Sequence, residues 1–241
     1  MTQINFYGYN AFKILEEGLS IIIDPGRSLK WNKLNSLIPR KEWDTDYIFI
    51  THEHEDHADF VIKIAKCTGA NIICHKNLQI KYSKNLSNNR VIGLNPNEKI
   101  ELNNITIKTF SVIHGKVTIR IFKKSFSISP PKCSSIGFII NIQKKIFANL
   151  GDTIFLPEWN YNPPFMHPDI LMIPAGGQMT MGSQEAADFI ELVQPKMVIP
   201  CHHKWDILFY KRKTDVSNLR ELCEEKNIIF KEMFPGERWV F

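Results

Sequence analysis

The densest chemical signal in this 241-residue chain is the segment His52-Glu53-His54-Glu55-Asp56-His57, where three of the eight histidines and an aspartate fall within six positions. Neutral imidazole and carboxylate are the donors that borderline divalent ions such as Zn²⁺ accept, so the segment reads as metal-binding rather than as surface composition. On an extended chain His52 and His54 project to the same side. A turn after them can aim Asp56 and His57 at a second ion, so one motif can feed two metals. His75 and His167 stand alone and read as ordinary polar positions. His203 stands next to His202, and if the strand before them continues, alternation lets only one of the two face an ion. The neighbour, with Lys204, then contacts substrate or faces solvent, and Cys201 faces away into packing.

The elements that position the motif are legible in the apolar pattern. Residues 4–7, 11–15 and 19–23 read as a three-stranded meander that stops at Asp24-Pro25-Gly26. Residues 47–50 are a short apolar run of the kind buried in a sheet, and they deliver the histidine motif at their C-terminal end. Helical spacing over 59–66 and a strand over 70–74 complete a βαβ step, and 83–89 read as a polar turn. Hairpins are expected over 99–110 and 136–150, then strands over 170–173 and 197–199, a helix over 183–193 with Ser183 as N-cap, and a helix over 215–226 before a strand at 228–230. Several strands end in polar residues: Asp152, His202 and the 52–57 motif all wait at one rim. The expectation is one α/β domain over residues 1–241, with two packed sheets and helices outside.

Composition narrows the class without naming a function. With 44% hydrophobic and 23% charged residues the chain is globular in type, neither collagen-like nor disordered. A net charge of +5 tilts it toward anionic partners, but basic residues form only short runs such as Lys123-Lys124 and Lys211-Arg212-Lys213, so nucleic acid is not favoured. The five cysteines are scattered and form no C-x-x-C pair, which points to a reducing compartment rather than a disulfide framework. No signal peptide or membrane span is apparent, so a cytoplasmic protein is expected, and a homo-oligomer is compatible with the sequence.

The His52-x-His54-x-Asp56-His57 segment, followed in order by His114, Asp152 and His202, resembles the metallo-β-lactamase fold superfamily of metallohydrolases. Gly8-Tyr9-Asn10-Ala11-Phe12, Ile23-Asp24-Pro25, Gly151-Asp152-Thr153, Gly182 and Pro200-Cys201-His202 make it similar, more narrowly, to the uncharacterised metal-dependent hydrolases and ascorbate-phosphate lactonases within it. The resemblance implies a four-layer αββα sandwich of two mixed sheets. It implies that His52, His54 and His114 hold one divalent metal ion, that Asp56, His57 and His202 hold another, and that Asp152 bridges them. It assigns Asp24 to orienting a ligand histidine and selects His202 over His203 as the ligand. Tyr9 departs from the pattern, because relatives carry histidine there.

Two such ions, ~3.5–4 Å apart, would bring a bridging water toward deprotonation, making hydrolysis the natural output with Asp56 and Asp152 holding the nucleophile in line. Zn²⁺ is the expected metal, with Mn²⁺ or Fe²⁺ as alternatives. The expected substrate is a small anion carrying a phosphoester or lactone bond. Residues 116–135, with Lys123 and Lys124, read as a hairpin or lid beside the metals, and the segment around Thr180 reads as a wall of the site. Competing readings are a nuclease or phosphodiesterase of the same superfamily, a non-catalytic binding module, and a diiron redox centre. The last is disfavoured by histidine rather than glutamate at position 54.

Overall fold

The computed structural model describes residues 1–28, 35–86, 90–103, 105–121, 124–128, 133–177, 179–207 and 210–241, with side chains described outside 117–128 and 205–212. The first half opens with β1 (Gln3–Gly8), β2 (Ala11–Glu16) and β3 (Leu19–Ile23), the antiparallel meander read from the sequence. β4 (Tyr47–Phe49), α1 (Glu55–Ala58), α2 (Val61–Thr68), β5 (Asn71–His75), α3 (Lys76–Ser83) and β6 (Val91–Leu94) then add parallel strands outward from β3.

The second half repeats the scheme. β7 (Lys99–Leu102) and β8 (Ile105–Ser111) form a hairpin, β9 (Val117–Ile121) and β10 (Lys124–Ile128) a separate one, and β11 (Ile136–Ile142) and β12 (Lys145–Asn149) extend the antiparallel part. β13 (Ile170–Pro174), α4 (Ser183–Val193) and β14 (Met197–Cys201) switch to parallel pairing. β15 (Lys204–Ile207) and β16 (Tyr210–Lys213) pair with each other, and α5 (Ser217–Glu225), β17 (Ile229–Phe230) and β18 (Arg238–Val240) follow. The sheet orders are β18-β1-β2-β3-β4-β5-β6 and β17-β14-β13-β12-β11-β8-β7.

Strand periodicity builds the layers. Ile21 and Ile23 of β3 face the second sheet while Ile22 faces the helices, and Met172 faces the first sheet while Leu171 and Ile173 face outward. Both faces are therefore apolar, which is why these strands lack polar alternation. Phe49 and Phe138 meet edge-on across the sandwich at 5.1 Å. Outside, Val61, Ile64 and Ala65 of α2 cover one sheet, and Ala186, Phe189 and Ile190 of α4 cover the other. The architecture is the α/β four-layer αββα sandwich of the metallo-β-lactamase fold.

Three expectations are corrected. The helix read over 59–66 is interrupted at Phe60, whose N–H donates to Pro25 O at 3.0 Å instead of entering a helical ladder, so α1 and α2 are separate. Ser183 is the first helical residue rather than the cap. Gly182 takes that place, and the Glu185 carboxylate accepts its N–H at 2.9 Å. The stretch 83–89 is not a turn throughout, because Ser83 closes α3; residues 87–89 lie outside the described residues. Among the described residues no helix is long and apolar enough to cross a membrane.

Candidate metal centre

Five strand ends converge on one rim. β3 delivers Asp24, β4 delivers Thr51 and the 52–57 motif, β8 leads to His114, β12 to Gly151-Asp152, and β14 to His202. His54 is the N-cap of α1 with extended backbone, so His52 and His54 stay on one side while the helical turn redirects Asp56 and His57. Among the described residues, donor atoms then gather in three groups, each within 4.8 Å: Asp24/His52/His57, and the pair His52/His54/His114 and Asp56/His57/His202. The last two are the sets that the resemblance implied. Asp152 joins them: its Oδ2 lies 3.5 Å from His57 Nε2, 3.5 Å from His114 Nε2 and 3.2 Å from His202 Nε2.

The hydrogen bonds behind the rings decide which nitrogens face inward. Asp24 is fully buried and accepts four bonds: from His57 Nδ1 at 2.8 Å, Thr51 Oγ1 at 2.6 Å, Thr51 N at 2.8 Å and Asn10 Nδ2 at 2.7 Å. Three of these bonds reach Oδ2 and one reaches Oδ1, and the one from Nδ1 holds the His57 ring in place. Because Thr51 Oγ1 gives its hydrogen to Asp24, it is left to accept from His52 Nδ1, 3.0 Å away. His114 Nδ1 donates to Gly115 O at 3.1 Å. His52, His57 and His114 therefore each present a bare Nε2 to the centre.

The residues fit bound metal on observations independent of sequence. The Nε2 atoms of His57 and His114 and Oδ1 of Asp152 are buried without a hydrogen-bond partner, a costly state unless something else satisfies them. His52 Nε2 and His54 Nδ1 stand 3.0 Å apart; donors ~2.0–2.1 Å from one tetrahedral ion would be about 3.3 Å apart.

Electrostatics agree. Burial lowers the His52 pKa well below its usual value, keeping it neutral. Burial alone would raise the Asp56 and Asp152 carboxyls, but the surrounding histidines outweigh it and hold both well below the carboxylate range. Burial would lower His57, yet Asp152, Asp56 and Asp24 raise it well above the imidazole range.

Backbone geometry marks the same rim. Tyr9, Asp24 and His202 have φ of 50°, 46° and 54°, and Gly151 has 61°. Such conformations cost energy in a non-glycine residue, so the surroundings must enforce them. This corrects the alternation expected for 201–203: β14 ends at Cys201, His202 leaves the strand in the left-handed region, and both histidines are buried. His202 turns to Asp152, while His203 Nε2 lies 3.4 Å from Glu232 Oε1. The solvent-facing alternative for His203 does not hold, since it is 1% exposed. Its pKa is pushed down to about 4 by burial, with Lys204 adding to the effect.

The other assigned residues are less central. Lys204 Nζ pairs with Glu232 at 2.6 Å. Thr180 is buried with its hydroxyl donating to Met181 O at 3.2 Å. Its segment joins the centre through Gly115 N to Met179 O at 2.7 Å and Met181 N to Thr153 O at 2.7 Å. The β9–β10 hairpin forms, Lys124 opens β10, and Lys123 lies outside the described residues. His75 caps α3, accepting from Asn77 N at 3.1 Å, and His167 is exposed. Sequence reasoning missed Thr51, Asn149 and Glu232. Thr51 was discoverable as the residue joining β4 to the motif; Glu232 carries no local signal.

A family model described as "Beta-lactamase superfamily domain" matches residues 3–202. A UPF0173 metal-dependent hydrolase of Staphylothermus marinus is 30% identical over all of both chains, and one of Carboxydothermus hydrogenoformans is 28% identical over 99% of each. The solved structure of Igni18, a metallo hydrolase from Ignicoccus hospitalis, superposes with a TM-score of 0.78 at 23% identity, covering 100% of this chain and 99% of that one, and shares the fold. The chain belongs to the beta-lactamase superfamily and, within it, to the UPF0173 metal-dependent hydrolases.

Proposed function

We propose that the chain hydrolyses an ester-type bond, a phosphoester or a lactone, in a small anionic substrate at a centre of two divalent ions, with zinc the preferred occupant and Mn²⁺ or Fe²⁺ the alternatives. The observation that carries this reading is the position of Asp152 Oδ2, within 3.5 Å of Nε2 atoms from both donor groups. His52, His54 and His114 would hold one ion, Asp56, His57 and His202 the other, and Asp152 both. Such ions, when bound, lower the pKa of water toward neutrality and neutralise the anion that develops on the substrate.

The chain's own residues supply the rest. Asp24 fixes the His57 ring through Nδ1. Asp56 and Asp152 stay ionised at neutral pH and orient the attacking water. Cys201 offers no competing nucleophile, since burial pushes its thiol up and the thiol donates to Asn10 Oδ1 at 3.4 Å. Substrate contacts are assigned to Lys123 and Lys124, to His203 and Lys204, and to the wall around Thr180. The five free cysteines fit a cytoplasmic setting, and the pairing of Gln3 in β1 with Val240 in β18 fits one domain over 1–241.

The test is elemental analysis of the purified protein, followed by a panel of phosphodiesters, lactones, thioesters and single-stranded RNA on the metal-loaded form. Two transition-metal ions per chain, with metal-dependent turnover of a lactone or small phosphoester, support the reading. Failure to bind Zn²⁺, Mn²⁺ or Fe²⁺ sinks it, and turnover of RNA alone transfers the site to a nuclease.

A further inference from the structure

Two buried asparagines lie behind the centre. Asn10 stands between β1 and β2 on one sheet, and Asn149 ends β12 on the other. Their amides bond reciprocally: Asn10 Nδ2 donates to Asn149 Oδ1 at 2.9 Å, and Asn149 Nδ2 donates to Asn10 Oδ1 at 3.0 Å. Each is at most 1% exposed.

Every remaining capacity of the pair leads on. Asn10 Nδ2 also donates to Asp24 Oδ2 at 2.7 Å, and Asn10 Oδ1 also accepts from Cys201 Sγ at 3.4 Å. Asn149 Oδ1 also accepts from Gly151 N at 3.0 Å, and Asn149 Nδ2 also reaches Met172 Sδ at 3.7 Å. Both amides are thus fully satisfied, two donors and two acceptor positions each, a condition in which a buried network rigidifies its surroundings.

The contacts are not spread evenly over the centre. Asp24 holds His57, Gly151 precedes Asp152, and Cys201 precedes His202. Three routes therefore run from the amide pair to the Asp56/His57/His202 group and to Asp152. His54 and His114 receive none of them; His114 is steadied by Gly115 O, and His52 is reached only at one remove, through Thr51. The apolar contact between the sheets is non-directional and tolerates small slides, whereas two head-to-tail amides fix one relative position.

Building on the dinuclear reading above, we propose that the Asn10–Asn149 pair is a positioning clasp across the two sheets, and that breaking it releases the ion at Asp56/His57/His202 before the ion at His52/His54/His114. Neither asparagine touches substrate or an ion.

The experiment titrates metal-stripped wild type, Asn10→Ala, Asn10→Asp and Asn149→Ala with Zn²⁺ against a chromophoric chelator, and records thermal melting of each metal-free chain. Asn10→Asp keeps the volume but turns an oxygen toward Asp24. Wild type should show two binding events. In all three variants the event that His202→Ala abolishes should lose about 10–100-fold in affinity, the scale set by removing support behind a metal ligand, while the event that His54→Ala abolishes moves less than about threefold. Equal weakening of both events, or two unchanged events in folded variants, overturns the clasp. A purely structural role predicts a lowered melting temperature with both events shifted together. Should one variant fail to fold, the others carry the same test. If wild type itself binds fewer than two ions, the dinuclear reading fails instead, and the two failures are told apart.

Discussion

The two halves of the molecule share a topology, an antiparallel meander that turns parallel, yet they supply the centre differently. The first half gives His52, His54, Asp56 and His57 from one short segment after β4, shaped by α1. The second gives His114, Asp152 and His202 singly, each after a different strand. The first set is fixed by local backbone and by one carboxylate, Asp24. The second exists only when β8, β12 and β14 are in register. Local clusters fail locally, whereas dispersed ligands inherit the integrity of a whole sheet.

Asp152→Ala tests this contrast at its most severe. It removes the carboxylate within reach of histidines from both halves, leaving His114 Nε2 without the Asp152 carboxylate and His57 Nε2 with Asp56 alone. The second ion should be lost, and activity should fall by more than the ~100-fold that changes behind the ligands cost. Elemental analysis and turnover of the substrate found in the panel measure both. Two retained ions would mean that the halves bind independently.

Gly26→Ala should break the first half alone. A Cβ at Gly26 would meet the Asp56 carbonyl carbon and oxygen at 1.9 Å and His57 N at 2.4 Å. Such contacts are with backbone, so the start of α1 must move. Overpacking of this kind costs about 1–3 kcal/mol, which thermal melting would register, and metal affinity at Asp56/His57/His202 should drop while His52/His54/His114 is spared. A variant with unchanged melting and metal content would show that the motif does not depend on this close approach.

The same contrast explains what was legible. The 52–57 motif could be read directly because its chemistry lies within one window, and β3, β11 and α4 were found because apolar pattern and length defined them. His114, Asp152 and His202 could be placed at strand ends, but only the resemblance assigned them to ions, since spatial convergence has no local spelling. Phe60 looked helical because its spacing fits; its bond to Pro25 O is a tertiary contact. α3 was missed because it buries only Leu78 and Tyr82, too few positions to make a stripe. β18 was missed because its partner, β1, lies at the opposite end of the chain.

The smallest effect is expected at Glu232, which stands behind the second half as Asp24 stands behind the first. Asp24 is fully buried and bonds His57. Glu232 is 16% exposed and pairs with Lys204 at 2.6 Å, Arg220 at 3.3 Å and His203 at 3.4 Å. Burial would raise its carboxyl, but Lys204 and His203 outweigh this and hold it below the usual 4.5. A lowered carboxyl stabilises the fold above its unfolded pKa, and that contribution disappears as pH falls through the lowered value. Glu232→Gln should therefore cost under about 1 kcal/mol near neutrality, as partly exposed ion pairs do. The difference from wild type should shrink as the pH falls below 4.5, with metal content at neutral pH unchanged. Thermal melting from neutral to acid pH, paired with metal analysis, measures both. A lost ion in this variant would put Glu232 on the same footing as Asp24 and erase the distinction between a locally held half and one held by the sheet.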